Sequence, residues 1–354
     1  MEEIISPIDK ELILKELTPD KLLRKTNRGD NLIYVVNWQN APNTVREIGR
    51  LREVSFREAG GSSGLALDLD EFDLMENPYQ QLLVWDPDAQ AILGGYRFIL
   101  GSEIRIGEDG QPLLATSHMF HFSEEFVRDY IPHVIELGRS FVTPEYQSSR
   151  AGAKALFALD NLWDGLATLM VHHPHQYFFF GKMTMYPTYD PIAHDLIHHF
   201  LWKHFGGSEY LLQPIDPVLP QMDARVARLI LREDDFKKDY ACLKEAVKSL
   251  GTSIPPLVNS YIQASPTMKM LGTAVNHEFS EVEETAILIA FDEMYHEKRF
   301  RHVESYMKEL LARFQARFPN LTGGFKDVML SRMNKRRSSS RSRWDKKKAQ
   351  SAEE

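Results

Sequence analysis

Residues 135–152 read IELGRSFVTPEYQSSRAG, and this stretch decides the fold. It overlaps an apolar run, His133–Val142, that predicts a β-strand, and a polar turn then leads into a long apolar helical pattern that reaches Val171. The first backbone N–H groups of a helix lack intrahelical partners and suit a phosphate group. Gly152 in the turn allows a ligand to approach the backbone closely. The stretch predicts a phosphate-binding strand–turn–helix unit, the alternative being a plain turn that binds nothing.

Patterns on both sides of this unit predict further strands and helices. Leu32–Trp38 is a β-branched and aromatic run, and the helical spacing that follows begins after a cap at Asn43 or Thr44 and ends at Gly60. Two apolar runs that flank an Asp-Pro-Asp-Ala turn predict a hairpin. The further strand predictions are Gln80–Asp86, Ala91–Leu100, His175–Met185, Met268–Phe279 and Glu284–Met294, and the further helix predictions are Asp190–Phe205, Met222–Leu231, Phe236–Gly251 and Arg301–Phe318.

This order of elements predicts an α/β (α+β) fold in which a central mixed twisted sheet is flanked by helices. No strong linker separates Leu32 from Pro319, so we expect one domain over residues 1–330, with an elaborated C-terminal third. The apolar pattern stops at Ser331, and we predict that residues 331–354 form a basic disordered tail. Within it, segment 332–349 holds nine Lys or Arg and one Asp, in a chain of net charge −8.

Composition limits the function classes. No apolar run approaches the roughly 20 residues of a transmembrane helix, and the N-terminus has no secretory signal, so we expect a cytoplasmic protein. The single cysteine, Cys242, excludes an intramolecular disulfide and a cysteine-rich metal site. His194 and His198 share one face of a predicted helix, but the H-E-x-x-H pattern is absent and we predict no metal site.

Gln147–Gly152 is similar to the Arg/Gln-x-x-Gly-x-Gly/Ala loop of the GNAT acyltransferases, although Arg150 replaces the first glycine. The resemblance implies a GNAT-like fold and an acyl-phosphopantetheine thioester as co-substrate, with no permanently bound cofactor. Because Arg150 stands where the loop usually surrounds the CoA pyrophosphate, we expect an acyl carrier protein as donor and partner, with acyl-CoA as the alternative. The implied donor site comprises Phe141, Val142, Gln147, Ser148, Ser149, Arg150 and Gly152.

Five segments resemble one GNAT branch, the ornithine- and glycine-lipid N-acyltransferases with their hemolysin-like members. This branch is related to the acyl-homoserine-lactone autoinducer synthases. The motifs are short, but they occur in the order of the family and cover roughly residues 45–300. The segments are LREVSF (Leu51–Phe56), DLDEFD (Asp68–Asp73), GGYRFIL (Gly94–Leu100), IELGRSFVTPEYQSS (Ile135–Ser149) and IPPL (Ile254–Leu257).

The resemblance implies roles for the charged residues of these segments. A protonated amine must lose a proton before it attacks a thioester, and Glu136 is the candidate base. A backbone N–H near Phe141 or Val142 is the candidate donor to the oxyanion. The alternative is a charge network that only fixes the acidic loop to the sheet. Catalytic roles are implied for Glu136, Arg139, Asp70 and Asp73, and substrate-binding roles for Arg52, Phe56, Asp68 and Arg97.

The leading hypothesis is an N-acyltransferase that moves a long-chain fatty acyl group from an acyl carrier protein to a glycine- or ornithine-type amine, the first step of aminolipid synthesis. The alternatives are an autoinducer-synthase-like enzyme, a CoA-dependent GNAT acyltransferase and a non-catalytic GNAT-fold binding module. For segment 332–349 we expect peripheral contact with an anionic membrane. The alternatives for this segment are an acidic carrier protein, nonspecific nucleic-acid binding or no role, and we expect no specific nucleic-acid partner.

Overall fold

The computed structural model describes residues 1–147, 153–207, 210–218, 221–232 and 235–317. In chain order its strands are β1 (Leu22–Lys25), β2 (Leu32–Val36), β3 (Gln80–Asp86), β4 (Ala91–Leu100), β5 (Phe120–Phe122), β6 (Val134–Val142), β7 (Phe178–Met185), β8 (Leu212–Pro214), β9 (Lys269–Asn276) and β10 (Val282–Ala290). Eight of them form one sheet in the order β1-β2-β3-β4-β6-β7-β10-β9. Neighbours in this sheet are antiparallel except β6 and β7, which are parallel. β5 and β8 pair separately.

Helices cover both faces of this sheet. They are α1 (Lys10–Glu16), α2 (Pro42–Ala59), α3 (Glu71–Leu74), α4 (Ala153–His172), α5 (Pro191–Phe205), α6 (Ala224–Ile230), α7 (Phe236–Ser249), α8 (Pro256–Ile262), α9 (His296–Arg299) and α10 (Ser305–Arg317). The predicted hairpin is the β3–β4 pair, and the predicted mixed sheet flanked by helices is confirmed. The single domain over residues 1–330 stays a prediction, and the predicted tail, residues 331–354, lies outside the described residues.

The start of α2 differs from its predicted cap. The helix begins at Pro42, with Ala41 as the capping residue, so a cap by the side chain of Asn43 or Thr44 is wrong. The carboxylate of Glu16, from α1, instead accepts the backbone N–H of Asn43 at 3.0 Å and that of Thr44 at 2.7 Å. A carboxylate at this end also interacts favourably with the helix dipole.

The continuous apolar runs of β3 and β4 reflect burial on both faces of the sheet. Side chains alternate between faces along a strand. Leu82 and Val84 belong to the core cluster that contains Leu166 of α4, whereas Leu83 belongs to the cluster that contains Ile48 of α2. The interior strands therefore read as almost uninterrupted apolar sequence.

The sheet opens where β6 and β7 separate. The two strands pair only over Val134–Leu137, although both continue beyond this point. On its other side β6 is irregular where it faces β4 between Gly95 and Arg97. Arg139, at this bulge, has a φ of +47°, a left-handed conformation that side-chain-bearing residues rarely adopt. The bulge and the separation create a fork in the sheet, which we call the β6–β7 fork.

No described helix is long and apolar enough to cross a membrane.

Candidate active site

Six of the charged residues predicted for the site form one group, which we call the Asp/Arg cluster. Its members come from α2, from the segment that leads into α3 and α3 itself, and from β4 and β6. Opposite charges at these distances stabilise one another strongly when water is excluded. The cluster comprises Arg52, Asp68, Asp70, Asp73, Arg97 and Arg139.

Arg52 is the centre of the cluster and is almost completely buried. Its Nε donates to Asp68 Oδ2 at 2.8 Å and its Nη2 to Asp73 Oδ2 at 2.9 Å. Gln81 Nε2 donates to Asp73 Oδ1 at 2.8 Å. Burial would raise the pKa of Asp73, but the guanidinium groups of Arg52 and Arg97 outweigh it and lower that pKa. Neither Arg52 nor Asp73 lines the two cavities beside the cluster, whose described walls come from other residues.

Arg97 joins the cluster to α3. Its Nη1 lies 2.7 Å from both carboxylate oxygens of Asp70 and 3.2 Å from Asp73 Oδ2. Asp70 also caps α3. Its side chain accepts the backbone N–H groups of Phe72 and Asp73, and the side chain of Asp73 accepts the backbone N–H of Asp70. Burial would raise the pKa of Asp70, but the charges of Arg97 and Arg139 outweigh it and lower the pKa to about 2.

Arg139 is the cluster member at the fork. Its Nε donates to the two carboxylate oxygens of Asp68 at 3.1 and 3.0 Å. Its guanidinium lies 4.6 Å from the ring centroid of Phe279, a cation–π contact. The left-handed backbone of Arg139 is thus fixed by an ion pair and an aromatic ring.

The fork opens into a cavity of about 350 Å³, and a smaller cavity of about 200 Å³ lies beside it. The larger cavity is lined by polar groups of the sheet and by apolar residues of α4 and α8, including Leu159 and Leu257. Asp68 and Asp70 line the smaller one, and both cavities touch Arg97 and Arg139. Of the predicted site residues, the larger cavity is lined by Phe56, Arg97, Glu136, Arg139, Phe141, Val142 and Gln147.

Glu136 lies on β6 at the fork and is 1 % exposed. Thr116 Oγ1 donates to its Oε1 at 2.7 Å, whereas Oε2 makes no hydrogen bond of normal geometry to the described residues. The Tyr79 hydroxyl lies nearby, and burial together with the negative charge of Glu136 raises the pKa of Tyr79 well above its usual value. A buried carboxylate with an unused oxygen beside a cavity has the geometry of a proton acceptor.

The backbone of Val142 faces the open side of the fork. Thr143 N–H donates to Leu93 O at 2.9 Å, and backbone donors alternate in direction along a strand, so the Val142 N–H points away from β4. Gln147 Nε2 donates to Val142 O at 2.7 Å, which places Gln147 over the same backbone. The remaining predicted donor-site residues lie outside the described residues: Ser148, Ser149, Arg150 and Gly152.

Comparisons with known proteins identify relatives of this chain. A family model described as an acetyltransferase (GNAT) domain matches residues 51–156. A glycine N(alpha)-acyltransferase of Bacteroides thetaiotaomicron is 56% identical over 308 residues, which are 87% of this chain and 91% of that protein. Another, from Phocaeicola vulgatus, is 55% identical over 309 residues, 87% of this chain and 95% of that protein. The chain belongs to the family of these N-acyltransferases.

Membership of this N-acyltransferase family makes the protein an enzyme and confirms the GNAT fold class. It also implies an acyl thioester as donor. A solved CoA-dependent acyl-homoserine lactone synthase, determined with SAM and isopentyl-CoA, covers 47% of this chain and 72% of its own at 13% identity. Its TM-score of 0.25 is too low to support an argument.

Two charged residues of the N-acyltransferase cavity were not predicted from the sequence. Lys182 of β7 and Glu284 of β10 both line it, and an ion pair of 3.5 Å joins them. Lys182 Nζ also donates to Thr116 Oγ1 at 3.1 Å, which links the pair to Glu136 through one hydroxyl. The signal was available, since a charge inside an apolar strand needs a partner, as it also does at Glu136.

Proposed function

We propose that the protein acylates the amine of glycine with a long-chain fatty acyl group that an acyl carrier protein presents as a thioester. The observation that carries the proposal is Glu136, a buried carboxylate at the β6–β7 fork whose Oε2 makes no hydrogen bond of normal geometry to the described residues. Aminolysis of a thioester requires a proton acceptor at the amine, and this carboxylate borders the cavity of about 350 Å³. Glycine is supported by the names of the two relatives.

The reaction in this proposal is a direct acyl transfer. The amine nitrogen attacks the thioester carbonyl carbon, the C–N bond forms, and the C–S bond breaks to release the phosphopantetheine thiol. The ammonium nitrogen loses two protons overall. Glu136 takes one and passes it to the leaving thiolate, and the other goes to solvent, so the enzyme ends unchanged. The Val142 N–H, which points into the fork, stabilises the oxyanion of the tetrahedral intermediate.

In the proposal the Asp/Arg cluster divides into supporting and contacting residues. Arg52 and Asp73 hold α2 and α3 together and do not meet the substrates, since neither of them lines a cavity. Asp70 borders the smaller cavity and contributes a carboxylate to its wall. Arg97 lies between the two cavities and holds Asp70 in place.

The donor part of the proposal rests on the apolar walls of the larger cavity. Leu159, Leu257 and Phe141 supply aliphatic and aromatic surface of the kind that binds an acyl chain. Phe56, predicted as a substrate contact, adds to the same wall. The choice of a carrier protein over CoA rests on Arg150, which departs from the sequence pattern of CoA-binding loops.

The proposal is tested with the purified full-length chain. Palmitoyl-carrier protein or palmitoyl-CoA is incubated with glycine or ornithine, and the acylated amine and the released thiol are quantified by mass spectrometry and thiol titration. We expect N-palmitoylglycine, with a higher kcat/KM for the carrier-bound donor. Preference for palmitoyl-CoA would contradict the donor assignment, and preference for ornithine would contradict the acceptor assignment. No acylated amine, under conditions in which the Bacteroides thetaiotaomicron relative is active, would overturn the function.

A further inference from the structure

Lys182 lies at the point where β6 and β7 separate. It follows Gly181, which is the last β7 residue paired with β6, and its side chain is only 9% exposed. It lines both cavities, a position it shares with Arg97 and Arg139. A buried lysine loses much of its hydration, so its ammonium needs strong partners.

The partners of Lys182 within the described chain accept only part of the hydrogen bonds that its ammonium can donate. The group can donate three hydrogen bonds. It donates one to Thr116 Oγ1 at 3.1 Å and forms a long ion pair of 3.5 Å with Glu284 Oε2. Glu284 is itself buried, and its Oε2 has no hydrogen bond of normal geometry to the described residues.

Three polar atoms around this point therefore make no hydrogen bond of normal geometry within the described chain: Glu136 Oε2, Glu284 Oε2 and Arg97 Nε. Such buried atoms are rare in folded proteins and mark positions where a ligand or water can bind. Two are anionic acceptors and one belongs to a cationic donor. Together with the unused capacity of Lys182, they complement a small molecule that carries both an ammonium and a carboxylate.

The spacing also fits a zwitterion of a few atoms. Thr116 Oγ1 lies 3.1 Å from Lys182 Nζ and 2.7 Å from Glu136 Oε1. Lys182 Nζ and Glu136 Oε1 are therefore at most about 6 Å apart. One small amino acid can bridge such a distance with a hydrogen bond at each end.

We propose that Lys182, positioned by Glu284, binds the carboxylate of the acceptor amino acid and so presents its amine to Glu136. This inference rests on the proposed function, because it assigns the acceptor of that same site. Lys182 is then the residue that makes an amino acid, rather than a simple amine, the preferred acceptor.

The test compares two acceptors that differ only in this carboxylate. The kcat/KM values for glycine and glycinamide are measured for the wild type, for Lys182→Met and for Lys298→Met. Lys298 is a matched control, since it is a partly buried lysine that borders neither cavity. Its Nζ lies 4.6 Å from the ring centroid of Trp163. Because the ratio of the two values is compared between variants, the different reactivity of the two amines cancels.

We expect Lys182→Met to reduce the glycine-to-glycinamide ratio about 10- to 100-fold, the effect of one charge-assisted hydrogen bond. Lys298→Met leaves the ratio unchanged. A lysine that only balances the charges of Glu136 and Glu284 would slow both acceptors equally, and an unchanged ratio in Lys182→Met would overturn the proposal.

Two further measurements keep the outcome decisive. If Lys182→Met does not fold, the double variant Lys182→Met/Glu284→Gln removes both charges of the pair and is expected to show the same fall in ratio. If both amines are acylated but the ratio is the same in the wild type and in the variants, the role of Lys182 is overturned and amine acylation is left standing. A wild type that acylates no amine overturns the proposed function.

Discussion

The Asp/Arg cluster and the β6–β7 fork are neighbouring groups of buried charges that differ in how fully they are hydrogen-bonded. In the cluster, Arg52 pairs with two carboxylates at 2.8 and 2.9 Å. At the fork, Glu136 and Glu284 each keep one oxygen without a hydrogen bond to the described residues. Arg97 borders both regions, and its Nη1 contacts Asp70 and Asp73 while its Nε has no such bond. A saturated network stabilises a fold, whereas unsaturated groups beside a cavity indicate where a ligand binds.

The largest effect is expected from breaking the saturated region. Arg52→Met removes a buried cation that Asp68 and Asp73 share, so we expect a loss of about 3–5 kcal/mol in the free energy of unfolding. Denaturant unfolding followed by circular dichroism measures it. Arg128→Met is the control, because Arg128 is an exposed arginine paired with Asp129, and no measurable change is expected. Equal stability of the two variants would show that the cluster does not hold the fold together.

The next effect concerns the unsaturated region and is expected in activity rather than in stability. Glu136→Gln keeps the shape of the side chain and its bond from Thr116 but removes the proton acceptor. We expect kcat/KM to fall at least about 100-fold, or about 2.7 kcal/mol in the activation free energy. Unfolding is measured on the same preparation and should change little. Activity within a few-fold of the wild type would exclude Glu136 as the base.

A smaller effect is expected at the edge of the cluster, where Asp70 has a pKa of about 2. A lowered carboxyl pKa adds stability above the ordinary pKa near 3.8, and this stability disappears as the pH falls through about 2. Asp70→Asn retains a capping side chain for α3, so it isolates the charge. We expect it to lower the free energy of unfolding by about 2 kcal/mol at pH 7 and by about half as much at pH 3. A pH-independent difference would contradict the role of the charge.

The smallest effect is expected at the buried imidazole of His198. It is neutral in the folded protein, whereas the Asp/Arg cluster and the β6–β7 fork consist of charged side chains. His198 Nε2 lies 2.9 Å from Thr273 Oγ1, and burial lowers the pKa of His198 to about 4. The unfolded chain binds a proton near pH 6.5, so stability due to neutral His198 is lost as the pH falls from 6.5 towards 4. Relative to His198→Gln, the wild type should lose about 1 kcal/mol more between pH 7.5 and 5.5. Parallel stability curves would show that His198 is not kept neutral.

The charged motifs were predictable because each stands out within its own segment. The structure brings Arg52, Asp68 and Arg97 from three separate motifs into one cluster. Which of these residues line a cavity was not predictable, because the order of motifs along the chain does not show how deeply each side chain is buried. The cap of α2 was missed for a related reason, because its carboxylate comes from Glu16 of another helix rather than from a neighbouring residue.

The sequence by itself determined the order of strands and helices, the hairpin, and Glu136 as a charge on an apolar strand, because local periodicity and composition encode these features. Only the tertiary structure decided that Lys182 and Glu284 lie next to Glu136. Their proximity depends on the parallel pairing of β6 with β7 and the antiparallel pairing of β7 with β10. A strand's pattern records which face is buried but not which strand lies beside it. Strand pairing therefore placed three charges from distant segments at one fork.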